Sequence, residues 1–392
     1  MTDIAALSSS SSSLDPWASS IDDEDDDRHR PTVLPRATAA AARDAAELPD
    51  PPALNGALLA RAATTTAAPR PSLAMGIPAG DVANVDSAAT PAPPVERRLD
   101  AFRATATPTY RLPDGTDVTV AAPFRMPARL ERQLTPDEKK DPTTLRYAQQ
   151  EGRVVGHKAE LAAIAGKVGL GSGALVALYH GHGTPQQVRT VTQALLDAGK
   201  LPVGDGKPAS AATRVRQMMC DYGLGFDCSG YTQQAFLAAQ GVTRAQVGFA
   251  NPTNEGLSAL GPPHFQRVAA PEDARPGDVV VLGPPEGETV GHRAIIAERH
   301  ELTSGELQRL GCSPADRATL AAGHVTVFAV DSSWGSGADP SLGGVQRHTW
   351  LYDAATKRWG TVDAGAGGAV RLSARPYADH PLEGIYRYAG SS

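Results

Sequence analysis

The pentapeptide Phe226-Asp227-Cys228-Ser229-Gly230 carries the residue types best suited to covalent chemistry in this chain. It opens a run, Cys228 to Gln240, that reads as a helix ended by Gly241 at the C′ position. Asp227 suits the N-cap, and Phe226 before it can staple onto Tyr231 in the next turn. Cys228 is then the first residue inside the helix, where unpaired backbone N–H groups and the helix dipole stabilise an anion. The expectation is a thiol with a lowered pKa and more thiolate, the form that attacks carbonyl carbon. Such a nucleophile needs an imidazole to hold its proton, and the imidazole needs a partner that fixes its tautomer. The competing reading is a small cysteine that merely fills space at a helix start.

A nucleophile on a helix needs a scaffold opposite it, and the downstream half of the chain supplies strands. Arg275-Pro276-Gly277-Asp278 reads as a turn into Val279–Leu282, an apolar run suited to a buried strand. His292 to Arg299 reads as the next strand, with His292, Ala294 and Ile296 on one face. Residues 300–323 carry weak helical signals and Cys312, and His324 to Val330 is a third strand running into Asp331-Ser332-Ser333. Val345–Tyr352, Ala369–Leu372 and Glu383–Tyr388 are candidate later strands. Upstream, Pro113-Asp114-Gly115 marks a hairpin within Tyr110 to Met126, and helices are expected over 135–166, 185–199 and Ala211 to Met219. Residues 243–274, with Pro252, Pro262 and Pro263, read as mostly irregular. Helices first and strands afterwards is the order of an α+β protein. Between the first two helices lies Tyr179-His180-Gly181-His182-Gly183. Its two histidines raise a metal-ligand reading, but the flanking glycines and the lack of a nearby carboxylate or cysteine favour a loop.

Composition narrows the setting. Before about residue 100 the chain is rich in Ala, Ser, Pro and Thr, poor in aromatic residues and without apolar periodicity. Such a segment buries too little surface to offset its chain entropy, so residues 1–98 are expected to be a disordered leader. The acidic run Asp22 to Asp27 carries six negative charges, equal to the formal net charge of −6, and leaves the remainder near neutral. Nothing in that balance suggests a nucleic-acid-binding surface. Three cysteines, Cys220, Cys228 and Cys312, make no disulfide framework, which fits synthesis in a reducing compartment. Met1 to Leu7 followed by serines lacks the basic and apolar regions of a general secretory signal, and no stretch is apolar for long enough to expect a transmembrane helix. Such a leader is compatible with a protein made in the bacterial cytoplasm and exported, as an effector, by a specialised secretion machine; the alternative is an ordinary cytoplasmic protein with a floppy tail.

Four separated pieces then fall into one order. Phe226-Asp227-Cys228-Ser229-Gly230-Tyr231 resembles the nucleophile motif of the NlpC family, papain-like cysteine endopeptidases of bacterial cell walls. Gly241-Val242 is similar to that family's helix exit, and Arg275 to Leu282 resembles its turn and first strand. Gly291-His292-Arg293-Ala294-Ile295-Ile296 resembles its histidine strand, and Phe328-Ala329-Val330-Asp331-Ser332-Ser333 the strand carrying the third polar group. The resemblance covers about residues 205–390.

It implies a papain-like catalytic domain over 205–392, preceded by a hairpin plus helical pre-domain over 99–204. By the same resemblance Cys228 attacks, His292 moves the proton and Asp331 orients His292. The family more often has His, Asn or Gln at that third place, and His324 and His348 stand as competitors. Asp227 and Ser229 fall where the family lines its substrate cleft, and Tyr222 where a tyrosine supports the oxyanion. A helix cap and a first-turn residue are sufficient roles for the first two. The reaction implied is hydrolysis of amide bonds in peptidoglycan stem peptides through an acyl-enzyme, with no metal or organic cofactor. The alternatives are an effector that uses the same site as a protease, deamidase or acyltransferase on a host protein, and a non-catalytic peptide-binding module. Cys220, Cys312, Trp334, Trp350 and Trp359 read as structural, the tryptophans as core or cleft walls.

Overall fold

The computed structural model describes residues 94–202, 209–247, 264–285, 291–335, 343–363, 368–377 and 380–390. The expected leader therefore lies outside the described residues up to position 93, and its last stretch, 94–98, belongs instead to a helix, α1 (Pro94–Thr105). Of the expected irregular stretch 243–274, positions 248–263 also lie outside them.

The α+β order is present. After α1 come the hairpin strands β1 (Thr109–Arg111) and β2 (Asp117–Thr119), paired antiparallel around the expected Pro-Asp-Gly turn. Four helices follow: α2 (Pro142–Lys167), α3 (Ser172–Tyr179), α4 (Pro185–Asp197) and α5 (Ala211–Asp221). Their starts are written locally. Asp141 caps α2 by accepting from Thr143 and Thr144 N–H, Thr184 and Gln187 form a capping box on α4, and Ser210 caps α5. The sequence reading has α2, α4 and α5, and lacks α3, a short apolar helix with no side-chain cap.

Next comes α6 (Cys228–Gln240), with the bounds its sequence suggests. The downstream strands are β3 (Phe265–Arg267), β4 (Val279–Leu282), β5 (His292–Glu301), β6 (Gly311–Cys312), β7 (Val325–Trp334), β8 (Gly344–Asp353), β9 (Arg358–Asp363), β10 (Ala369–Ser373) and β11 (Leu382–Tyr388). Two short helices, α7 (Ser304–Arg309) and α8 (Pro314–Ala322), occupy the 300–323 segment. Among the described residues these strands form one sheet in the order β3-β11-β4-β5-β7-β8-β9-β10-β6, antiparallel except for the β10–β6 contact.

Because strand side chains alternate between faces, the sheet has two cores. On one face Val279, Ile295, Ala297 and Val345 pack with Phe226, Tyr231, Ala235 and Phe236 of the α6 segment and with Leu99 and Phe102 of α1. The same cluster contains Leu161, Val191 and Leu195, so residues on both sides of position 204 share a single core. On the other face Val280, Leu282, Ala294, Ile296, Phe328, Val330, Trp334 and Trp350 form a second cluster. Trp359 joins it, and all three downstream tryptophans are buried. Under α7 and α8, a third cluster gathers Leu310, Leu320, Val327 and Leu351.

Candidate active site at the start of helix α6

The start of α6 is fixed from every side. Asp227 caps it through a side-chain acceptor for Gly230 N–H, and Gly241 ends it in the left-handed region at φ 66°. The staple is formed, with the rings of Phe226 and Tyr231 edge-to-face at 6.1 Å. Phe226 is also held by backbone: its N–H donates to Pro123 O at 3.0 Å and its carbonyl accepts from Arg125 N–H at 2.9 Å. That carbonyl accepts again from Ser333 Oγ on β7 at 2.6 Å.

Cys228 lies at the corner where β5 begins, with part of the residue at the surface and its sulfur enclosed by protein. Its sulfur accepts from the backbone N–H of Arg293, the residue after His292. The motif cysteine and the motif histidine are thus brought to one corner from 64 positions apart in sequence. The approach is from opposite sides of the sheet. His292 pairs with Leu282 and shares the face of Ala294 and Ile296, whereas α6 packs on the face of Ile295 and Ala297. Among the described residues no hydrogen bond joins the sulfur to the ring, and Nε2 of His292 is buried without a partner.

The expected thiolate is corrected. Desolvation, then the neighbouring Asp227 carboxylate, push the Cys228 thiol up to about 12, against weaker pulls from the Arg293 and Ser229 amides and the Arg293 charge. The dipole argument holds for an exposed helix start, and here burial and an adjacent anion outweigh it. His292 is pushed down to about 3 by desolvation, with His380 and His348 adding repulsion. At neutral pH the resting pair is a thiol and an uncharged imidazole.

Asp331 does not reach His292. The register sets Ile295 opposite Asp331, so three residues further on Trp334 is the residue beside His292. Asp331 lies on the α6 face and accepts from Arg347 Nε at 2.7 Å and Nη2 at 2.8 Å. Strand β7 is the neighbour of β5, but its register sets Trp334 rather than Asp331 beside the His292 ring. The competitors fare differently. His324 precedes β7 at the far end of a ten-residue strand, roughly 30 Å away at the usual rise. His348 shares the His292 face, but the Trp334 indole stands between the two rings, stacked on His292 at 4.2 Å and on His348 at 4.4 Å.

The remaining site residues also have structural partners. Asp227 is buried, one oxygen capping Gly230 and the other 3.2 Å from His182 Nε2, so it does not line an open cleft. Ser229 is partly exposed and donates to Asp227 at 3.0 Å. Tyr222 gives its hydroxyl to Glu160 at 2.5 Å and stacks on His157 at 4.3 Å. That bond commits the phenol to α2 rather than to an oxyanion.

Sequence reasoning missed the part played by His182 and Gly181, which close over the α6 start from the Tyr179–Gly183 loop. The paired glycines were the available signal, since they let the loop approach backbone closely. Trp334, read as a wall, is the immediate neighbour of the His292 ring. Tyr377 and His380 complete the surroundings, with ring centroids 6.2 and 6.3 Å from His292. Cys220 is buried and Cys312 partly exposed, and neither is in a disulfide. No group of three or more His, Cys, Asp or Glu side chains among the described residues forms a metal site, and no described helix is long and apolar enough to cross a membrane. Compared with known families, curated proteins and solved structures, the chain matches no family model, no curated protein and no solved structure.

Proposed function

We propose that the protein is a cysteine peptidase or amidase with a papain-like, NlpC-type core that hydrolyses amide bonds in peptidoglycan stem peptides. One observation carries the reading: the Cys228 sulfur, at a helix start, rests on the amide of the residue next to His292. Because both groups are neutral at rest, proton transfer accompanies attack instead of preceding it. For the reaction the His292 ring must turn round the start of β5 toward the sulfur; Cys228 Sγ then adds to the amide carbon as its proton passes to the imidazole, and the oxyanion accepts from the Cys228 backbone N–H. The imidazolium returns the proton to the leaving amine, the C–N bond breaks, and an acyl-thioester remains. Water, deprotonated by His292, then releases the acid and restores the thiol. Stacking on Trp334 takes over the orienting task that the resemblance gave to Asp331.

A second reading has an observation in its favour. The unlinked neutral thiol and imidazole suit a module that holds a stem peptide without cleaving it. Purified muropeptides incubated with the wild type and with Cys228→Ala separate the two. New amine and acid termini that depend on Cys228, seen by mass spectrometry, are expected. Equal muropeptide binding by both proteins with no products sinks the hydrolase and leaves the module.

A further inference from the structure

The loop between α3 and α4 contributes a histidine to the nucleophile turn, although no motif links the two in sequence. Gly181 O accepts from Asp227 N–H at 3.2 Å. Gly181 adopts φ +73°, and a Cβ there would lie 2.5 Å from Asp227 N and 2.6 Å from Arg125 O. Only glycine allows so close an approach. The next residue, His182, has a side chain 2% exposed, as has Asp227. Its Nε2 lies 3.2 Å from Asp227 Oδ2 and 3.3 Å from Ser229 Oγ. An ionised carboxylate only accepts, so Nε2 carries the proton, and Nδ1 is left buried without a partner.

Asp227 is thereby held at both oxygens. One caps Gly230 N–H and the other takes His182 and Ser229. Its charge sits one residue from the thiol and opposes thiolate formation there. Arg293 stands on the thiol from β5, while Arg125 and His180 lie on the loop side.

We propose that His182 is a positioning residue for Cys228: its Nε2–H fixes the Asp227 carboxylate in capping geometry and draws that negative charge away from the sulfur. This deepens the hydrolase reading and rests on it for its purpose, and it gives the 99–204 segment a task in the site.

The test is alkylation of the full-length protein by iodoacetamide at about pH 8.5, where rate follows thiolate fraction, with each cysteine resolved by peptide mapping. His182→Ala is expected to slow Cys228 about ten-fold relative to Cys312, the effect of one unit in thiol pKa. His182→Gln, whose amide donates from the same place, restores most of the rate. Asp227→Asn keeps a capping oxygen without the charge and speeds Cys228 about ten-fold. A purely structural loss would open the loop, expose the thiol and accelerate alkylation in His182→Ala, which overturns the proposal. An unchanged rate in that variant, or in Asp227→Asn, overturns it equally. Should His182→Ala fail to fold, His182→Leu, which fills the space without a donor, takes its place beside His182→Gln. The readout is thiol reactivity, so its failure and a failure to cleave muropeptides are separate results.

Discussion

Asp331→Ala distinguishes a carboxylate that holds the fold from one that serves His292. The side chain is fully buried and takes two hydrogen bonds from Arg347, which also reaches Asp100 on α1 at 2.9 Å and Glu298 on β5 at 2.8 Å. Breaking a buried pair costs about 3–5 kcal/mol when it strands a charge. Without Asp331, Arg347 keeps two carboxylates, so the cost falls at the low end, about 3 kcal/mol. Arg347→Met strands three carboxylates, one of them wholly buried, and costs about 5 kcal/mol. At roughly 2–4 °C per kcal/mol for a domain of this size, Asp331→Ala should melt about 6–12 °C below the wild type. Urea and thermal unfolding followed by circular dichroism read both variants, alongside Cys228 alkylation and muropeptide turnover at a temperature where each is folded. The expected order of stability is wild type, Asp331→Ala, Arg347→Met, with turnover changed by less than about three-fold in the first variant. Wild-type stability together with collapsed turnover in Asp331→Ala would refute the reasoning and return the carboxylate to His292.

Three further outcomes follow from the same geometry. His292 is held near 3 by burial, so the unfolded chain protonates first as pH falls, and stability present at neutral pH is lost from about 6.5 downward. Between pH 7 and pH 5 the wild type should lose about 2 kcal/mol of unfolding free energy relative to His292→Gln, and parallel pH dependences sink the claim. Glu160 is held down to about 2, chiefly by Lys200 and next by the Tyr222 hydroxyl. A depressed carboxylate contributes above its ordinary value and loses that contribution as pH falls toward 2, so Glu160→Gln should flatten the acid limb of the stability curve; an NMR titration of Glu160 with an ordinary midpoint contradicts this. Gly230→Ala puts a Cβ inside contact distance of the Gly181 carbonyl and should cost about 2–3 kcal/mol in urea unfolding. A change below about 0.5 kcal/mol means the loop does not press on α6 as described.

What the sequence made legible was local. The bounds of α6, its Asp227 cap, the Phe226–Tyr231 staple and the Gly241 exit all depend on residues within a few positions of one another. The buried runs of β4 and β5 were legible for the same reason. Pairing was not. Strand β7 runs on through Asp331 to Trp334, and which of those residues meets His292 is set by a register that no short window contains. The β5–β7 ladder also shifts between Ile296 and Glu298, so a strict period of two does not run along the whole strand. Strands β3 and β9 carry little pattern of their own and are strands because their neighbours pair with them. The thiolate expectation failed differently. Enclosure of the thiol, which no short window shows, is the larger cause, and the charge of Asp227, in plain view beside Cys228, adds to it.

The end of β7 explains how the start of α6 on one face of the sheet and the His292 ring on the other are both held at one corner. Alternation hands successive residues to different partners. Ser332 Oγ donates to Arg293 O on β5 at 2.6 Å, Ser333 Oγ to Phe226 O before α6 at 2.6 Å, and Trp334 backs the His292 ring at 4.2 Å. Three consecutive side chains thus hold strand β5, the start of α6 and the imidazole of His292. A slip of one residue would turn each of them to the wrong face and release all three contacts together. The register that prevents this is fixed by the ladder with β8, unbroken from Val325 opposite Asp353 to Trp334 opposite Gly344, and by the Asp331–Arg347 pair on facing positions of those strands. On this account Asp331 matters to the site through register, as a pin placed just before the working residues. Its loss should leave both contacts formed in the folded protein, and Ser333 should part from Phe226 and Trp334 from His292 together as unfolding begins.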